Sequence, residues 1–141
     1  MIGKLSKYVL HCFALALLAS CNEDDHLAGV DEVVVAELER LGITPISDAE
    51  TSKNTLFEPA SPIDGLKAEA CDKAGYHDLY SYAGETVEST SVNIRGSCED
   101  IGIRVIVITK NSLIVCIFLT FQRGEEATPG IWPINDSSCE Y

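Results

Sequence analysis

The sequence predicts an α+β domain in which two helices pack on one face of an antiparallel sheet of three or four strands, stapled by disulfides. Three patterns predict this class. Apolar residues recur at helical spacing over residues 31–41, good helix formers fill residues 64–74, and β-branched runs occupy residues 101–109 and 113–121. The chain has 141 residues, about the length of one domain.

The two predicted helices have recognisable ends. In the first, Val30, Val34, Leu38 and Leu41 repeat at three- and four-residue spacing. Asp31 suits its positive end, and a glycine at position 42 stops it. The second helix is predicted to use Asp64 as its cap and to end at a glycine at position 75.

The strands follow the helices. Residues 85–94 alternate as a partly exposed strand, and the two β-branched runs flank a turn over residues 110–112, which predicts a hairpin. Residues 43–62 read as irregular, with a short strand hidden near residues 43–46 or 55–57. Residues 128–133 hold two prolines and a glycine and are predicted to form a rigid turn.

Residues 1–20 have the pattern of an export signal. Two lysines precede an apolar run over residues 8–19, too short for a membrane span. Leu18-Ala19-Ser20-Cys21 resembles the bacterial lipobox. The resemblance implies cleavage between Ser20 and Cys21, a diacylglycerol on the Cys21 thiol with further acylation such as palmitate, and a location at the cell membrane or outer membrane, facing the periplasm or exterior. Several acyl chains hold a protein stably on a membrane.

The net negative charge of the chain argues against two classes of partner. The whole chain carries 22 acidic and 10 basic residues, a formal net charge of −12. Residues 1–20 hold two of the lysines and none of the acids, so the processed chain would carry −14. This balance argues against nucleic acid and against electrostatic adsorption to anionic lipids. We expect residues 21–30 to form an acidic tether and residues 31–141 to form a single domain.

Four cysteines remain for disulfides once residues 1–20 are removed and Cys21 carries lipid. They are Cys71, Cys98, Cys116 and Cys139. An even number in an exported domain predicts two bridges, and three connectivities are possible. The spacing contains no CxxC, so a zinc site is not expected.

The two faces of the predicted hairpin differ in polarity. Strict alternation places residues 103, 105, 107, 113, 115, 117, 119 and 121 on one wholly apolar face, while Arg104 and Lys110 interrupt the other. We therefore expect both helices on the first face, with Cys116 pointing to the second. That placement favours the pairs Cys71–Cys98 and Cys116–Cys139.

A tyrosine-rich segment separates the second helix from the strands. It contains Gly75, Tyr76, Asp78, Leu79, Tyr82, Gly84 and Val87. These positions resemble a motif of uncharacterised bacterial secreted and lipoprotein domains of the DUF4830-like kind, which implies export and a similar fold but no activity. The segment can serve simply as a turn that plugs the core. Alternatively, Tyr76, Tyr80 and Tyr82 form a contact surface.

No pattern in the sequence predicts catalysis, a cofactor or a metal site. His26 and His77 are the only histidines after residue 20, and no GxSxG, phosphate-binding loop or dinucleotide fingerprint accompanies them. We expect a non-catalytic binding module of the cell envelope with a protein partner. The alternative is an acidic inhibitor or immunity-type lipoprotein that neutralises a basic secreted toxin or hydrolase.

Overall fold

Two α-helices, a 3-10 helix and five strands make up the described parts of the chain. A computed structural model describes residues 25–55, 61–77, 79–95, 100–123 and 130–135. The elements are α1 (Glu32–Arg40), β1 (Glu50–Thr55), α2 (Pro62–Lys73), the 3-10 helix (Leu79–Tyr82), β2 (Thr86–Asn93), β3 (Asp100–Lys110), β4 (Leu113–Arg123) and β5 (Gly130–Pro133). The predicted α+β class, with two helices packed against an antiparallel sheet, is confirmed.

The sheet has five strands in the order β1-β2-β3-β4-β5, each antiparallel to its neighbours. The prediction of three or four strands misplaced one edge strand, β1, and missed the other, β5. Strand β1 lies between the two positions considered for it, and its residues are all polar, so it has no apolar alternation to detect. Strand β5 occupies part of the predicted turn, with Pro133 at its last position. Edge strands tolerate proline because one side of the strand needs no ladder hydrogen bond.

The central hairpin is confirmed, together with its turn. Asn111 and Ser112 join β3 to β4 with φ angles of 50° and 58°. Two consecutive residues with positive φ form a type I′ turn, whose twist matches that of paired strands. The Ser112 hydroxyl also donates to the Asp31 carboxylate, Oγ to Oδ2 at 2.7 Å, and so ties the turn to the start of α1.

Two bulges alter the alternation of side chains in this hairpin. One lies at Gly102, whose φ of 64° suits a glycine, between the pairs of Ile101 and Arg104. The other places Val115 as an extra residue, because Ile108 pairs with Cys116 while the next residue of β3 pairs with Ile114. Beyond this bulge the face of β4 differs from strict alternation, so the face predicted for residues 113 and 115 was wrong.

The core has two parts on opposite faces of the sheet. The α1-side core consists of Val34, Leu38, Val92, Ile94, Ile103, Val105, Val107, Ile117, Leu119 and Phe121. The α2-side core consists of Ala68, Ala70, Cys71, Leu79, Val87, Ile108, Val115, Cys116 and Phe118. Members of the two sets alternate along β3 and β4, and alternate residues of a strand point to opposite faces. The two helices therefore cover different faces instead of sharing one.

The physical reason is that both faces of the hairpin are too apolar to leave in water. Helix α1 covers one face, and Ile108, Cys116 and Phe118 on the other still need cover, which α2 and the 3-10 helix provide. Burying this second face costs no charge because Arg104 remains exposed.

The disulfide pairing follows from this arrangement. Cys71 on α2 and Cys116 on β4 form a disulfide, with their Cα atoms 5.5 Å apart, and both residues are fully buried. The expected pairs Cys71–Cys98 and Cys116–Cys139 were wrong. Cys116 does point to the second face as predicted, but α2 packs on that same face. Cys98 and Cys139 lie outside the described residues.

The helix ends agree in part with the sequence. Asp31, expected in the first turn of α1, is its N-cap and accepts from the Val33 backbone N–H at 3.0 Å. Helix α2 begins at Pro62, two residues before the predicted cap, because proline is well suited to a first turn. Asp64 lies inside that turn, where it pairs with Lys67 at 3.1 Å.

Candidate functional site

A shallow groove of about 300 Å³ lies between α2 and the chain that follows it. We call it the tyrosine–acid groove. The helix lines it with small and acidic residues, and the returning chain lines it with aromatic and apolar ones. Its residues are Gly65, Ala68, Glu69, Asp72, Tyr76, Leu79 and Tyr80.

The end of α2 builds this groove. The Tyr76 N–H donates to the Cys71 carbonyl at 2.9 Å and the Gly75 N–H donates to the Asp72 carbonyl at 3.0 Å, the two bonds of a Schellman motif. Gly75 has a φ of 92°, which other residues rarely adopt. The chain therefore reverses at Gly75 and runs back beside α2 as the 3-10 helix, whose Leu79 is buried in the α2-side core.

Acidic groups form the rim of the groove. Glu69 accepts from Lys73 at 2.7 Å, one turn further along α2, and both side chains are well exposed. Asp72 lies 2.7 Å from Nδ1 of His77, also in an exposed pair. Exposed pairs of this kind are weak and exchange partners readily in water. Glu69 and Asp72 are therefore accessible to an incoming cation.

Tyr76 has a structural role. It is half-buried and contacts both parts of the core, and its hydroxyl donates to Glu37 Oε1 on α1 at 3.0 Å. Burial, assisted by this bond, raises the pKa of Tyr76 to about 12. The hydrogen bonds from Arg40 hold the pKa of Glu37 below its usual value. Tyr76 thus links the two helices.

The other two predicted contact tyrosines differ in exposure. Tyr80 is 55% exposed at the mouth of the groove. Tyr82 is partly buried against the α2-side core, which agrees with the plug that the sequence offered as the alternative. The acidic rim was missed, because in a chain with 22 acids the spacing of Glu69 and Asp72 on one helix face stands out only once the tyrosines are known to lie beside it.

The remaining residues that the sequence singled out fall partly outside the described ranges. Ser20 and Cys21 lie outside the described residues, as do Cys98 and Cys139. The two histidines have different partners. His26 pairs with Asp48, Nδ1 to Oδ1 at 2.9 Å, whereas His77 pairs with Asp72. Within the described ranges, no group of three or more His, Cys, Asp or Glu side chains is placed to hold a metal ion.

Among those same residues, no helix is long and apolar enough to cross a membrane. Comparison of the chain with family models, with curated proteins and with solved structures finds no match. The resemblances to the lipobox and to the DUF4830-like domains stay predictions.

Proposed function

We propose that this chain is an exported bacterial lipoprotein, held on the cell membrane or outer membrane by lipid on Cys21, whose domain is a non-catalytic binding module. The export signal over residues 1–20 and the sequence Leu18-Ala19-Ser20-Cys21 support the anchor. The tyrosine–acid groove is the observation that supports a binding role.

The chemistry of the groove favours a basic side chain of a protein partner. Ala68 and Leu79 offer an apolar floor for the aliphatic stem of Lys or Arg. The ring of Tyr80 is exposed at its mouth, where it can accept a cation on its face. Glu69 and Asp72 supply carboxylates for the charged head, in exchange for their exposed pairs with Lys73 and His77.

The acidity of the whole chain favours one class of partner in particular. A processed chain of formal charge −14 attracts a basic protein and speeds its association. This supports the second candidate function, that of an inhibitor or immunity-type lipoprotein that neutralises a basic toxin or hydrolase.

Two measurements test the proposal. Mass spectrometry of the processed chain should find its amino terminus at Cys21 with acyl chains attached, and Cys21→Ser should abolish that product. An unacylated chain, or an intact residue 1–20 segment, would refute the anchor.

The groove is tested with charge-matched variants. Glu69→Gln with Asp72→Asn removes two charges from the rim, and Glu32→Gln with Glu39→Gln removes two from exposed positions on α1. Binding of an arginine-rich peptide, and capture of a basic protein from detergent-solubilised membranes, should weaken about tenfold in the first variant, equivalent to about 1.4 kcal/mol. The second variant should show only the smaller, salt-sensitive loss expected from long-range attraction. Equal losses in both variants would show that charge, and not the groove, is recognised.

A further inference from the structure

The segment that leads from the predicted anchor into the domain begins beside the start of β1 and ends at Asp31, which bonds to Ser112 in the β3–β4 turn. The Ala49 N–H donates to the carbonyl of His26 at 2.8 Å, and the His26 ring lies 2.9 Å from the carboxylate of Asp48. Leu27 and Val30 pack against the α1-side core. Residues 25–30, predicted as part of a tether, are therefore in contact with the domain.

This leaves a short chain between lipid and domain. Cys21 lies four residues before Asp25, and four residues span at most about 14 Å. If Cys21 carries lipid, as in the proposed function on which this inference depends, the end of the domain that holds His26 and Asp48 is kept close to the bilayer surface.

An apolar depression of about 280 Å³ lies at this same end. We call it the Ile46 surface; it is lined by Gly42, Ile43, Thr44, Ile46, Ile94 and Arg95. The Ile46 N–H donates to the Asn93 carbonyl at 3.0 Å, so its backbone is fixed to the sheet. Its side chain is nevertheless 50% exposed, and Arg95 beside it is exposed too.

We propose that the Ile46 surface contacts the lipid bilayer and orients the domain on it. An exposed aliphatic side chain gains by entering the boundary between headgroups and acyl chains, and an arginine beside it can pair with lipid phosphates. The acidic chain is repelled by anionic lipids, so this contact depends on the anchor that holds it within reach. The short chain before Asp25 and its attachment beside Asp48, near the Ile46 surface, are the observations that favour lipid as the occupant.

The opposite end of the sheet supplies a control position. Leu113 follows the β3–β4 turn and is 65% exposed. Asn93, whose carbonyl accepts from the Ile46 N–H, pairs with Arg104 of β3. Leu113 pairs with Lys110 of β3. These two positions on β3 lie six residues apart, about 20 Å along the strand. The two exposed side chains therefore sit at opposite ends of the domain.

The experiment uses the product of the full sequence, purified in detergent from the cells that export it and reconstituted with vesicles of phosphatidylethanolamine and phosphatidylglycerol with brominated acyl chains. Ile46→Trp and Leu113→Trp each add one indole to that of Trp132, whose signal the wild type provides. We expect the fluorescence of the Ile46→Trp variant to be quenched about twofold more than that of the wild type, since an interfacial apolar side chain enters the boundary between headgroups and acyl chains by about 5–10 Å. The Leu113→Trp variant should match the wild type, and Arg95→Glu added to Ile46→Trp should reduce the quenching.

Two contrary results are distinguishable by flotation of the vesicles. A chain that floats with them but shows equal quenching at both positions would overturn the orientation alone. A chain that does not float would overturn lipidation at Cys21 and the orientation with it.

Discussion

Removal of the Cys71–Cys116 disulfide should strongly destabilise this fold. The two cysteines are separated by 45 residues. The disulfide closes a loop of that length in the unfolded chain. The conformational entropy that the unfolded chain loses stabilises the folded state by about 4 kcal/mol at 25 °C. Domains of this size are stable by only about 5–15 kcal/mol, so the loss is a large share of the total.

The variant Cys71→Ala with Cys116→Ala isolates this effect. Both side chains are fully buried, so alanine avoids placing hydroxyl groups in the α2-side core. In urea, with a slope of about 1.5 kcal/mol per molar, the unfolding midpoint should fall by about 2.7 M. The fluorescence of Trp132, which stacks on Phe121 with ring centroids 5.2 Å apart, reports the transition.

A matched control and a peptide map make the prediction refutable. The variant Cys98→Ala with Cys139→Ala leaves the Cys71–Cys116 bridge intact, and reduction of that variant should then reproduce the loss of about 4 kcal/mol. Non-reducing peptide mapping should link Cys71 to Cys116. A map linking Cys71 to Cys98, or an unchanged midpoint in the Cys71→Ala, Cys116→Ala variant, would refute the reasoning.

Three further changes test individual contacts. Tyr76→Phe removes the hydrogen bond to Glu37 and should lower the free energy of unfolding by about 1 kcal/mol in urea at pH 7. Burial raises the pKa of Tyr76 in the folded state to about 12, so the stabilisation by the neutral phenol is complete below pH 10 and is lost between about pH 10 and 12. The variant should lack this loss of stability at alkaline pH. Asp31→Ala should shorten α1 and lower stability at neutral pH. A backbone hydrogen bond holds the pKa of Asp31 low, so the wild type should lose its advantage over the variant as the pH falls below about 4. The melting temperatures of the two proteins, followed by circular dichroism, should converge there. Phe121→Ala should cost about 3–5 kcal/mol and shift the emission of Trp132, and a loss under 1 kcal/mol would contradict its place in the core.

Much of the fold could be predicted because local signals were strong. Asp31 at its positive end and a glycine at position 42 bounded α1, and the polar break between two β-branched runs located the hairpin turn. The edge strands were misplaced or missed for a physical reason. Strand β1 has no apolar face to bury, and β5 combines glycine and proline, which by themselves favour a turn.

The sequence predicted the tyrosines of the candidate site but not its acidic residues. The sequence predicts either a turn that plugs the core or a contact surface for the tyrosine-rich segment. In the structure Tyr76 bonds to Glu37, Tyr82 packs on the core, and Tyr80 lines the groove. The acidic rim comes from α2, and only the reversal of the chain at Gly75 brings Glu69 and Asp72 beside Tyr80.

The sequence by itself determined the fold class, the hairpin with its turn, the direction in which Cys116 points, and the expectation of a lipid at Cys21. Tertiary structure alone decided which helix covers which face, and with it the partner of Cys71. Periodicity tells which residues must be buried, but a hairpin that is apolar on both faces must be covered twice. Which element covers each face is settled by packing between residues distant in sequence, such as Cys71 and Cys116, and no local pattern encodes it.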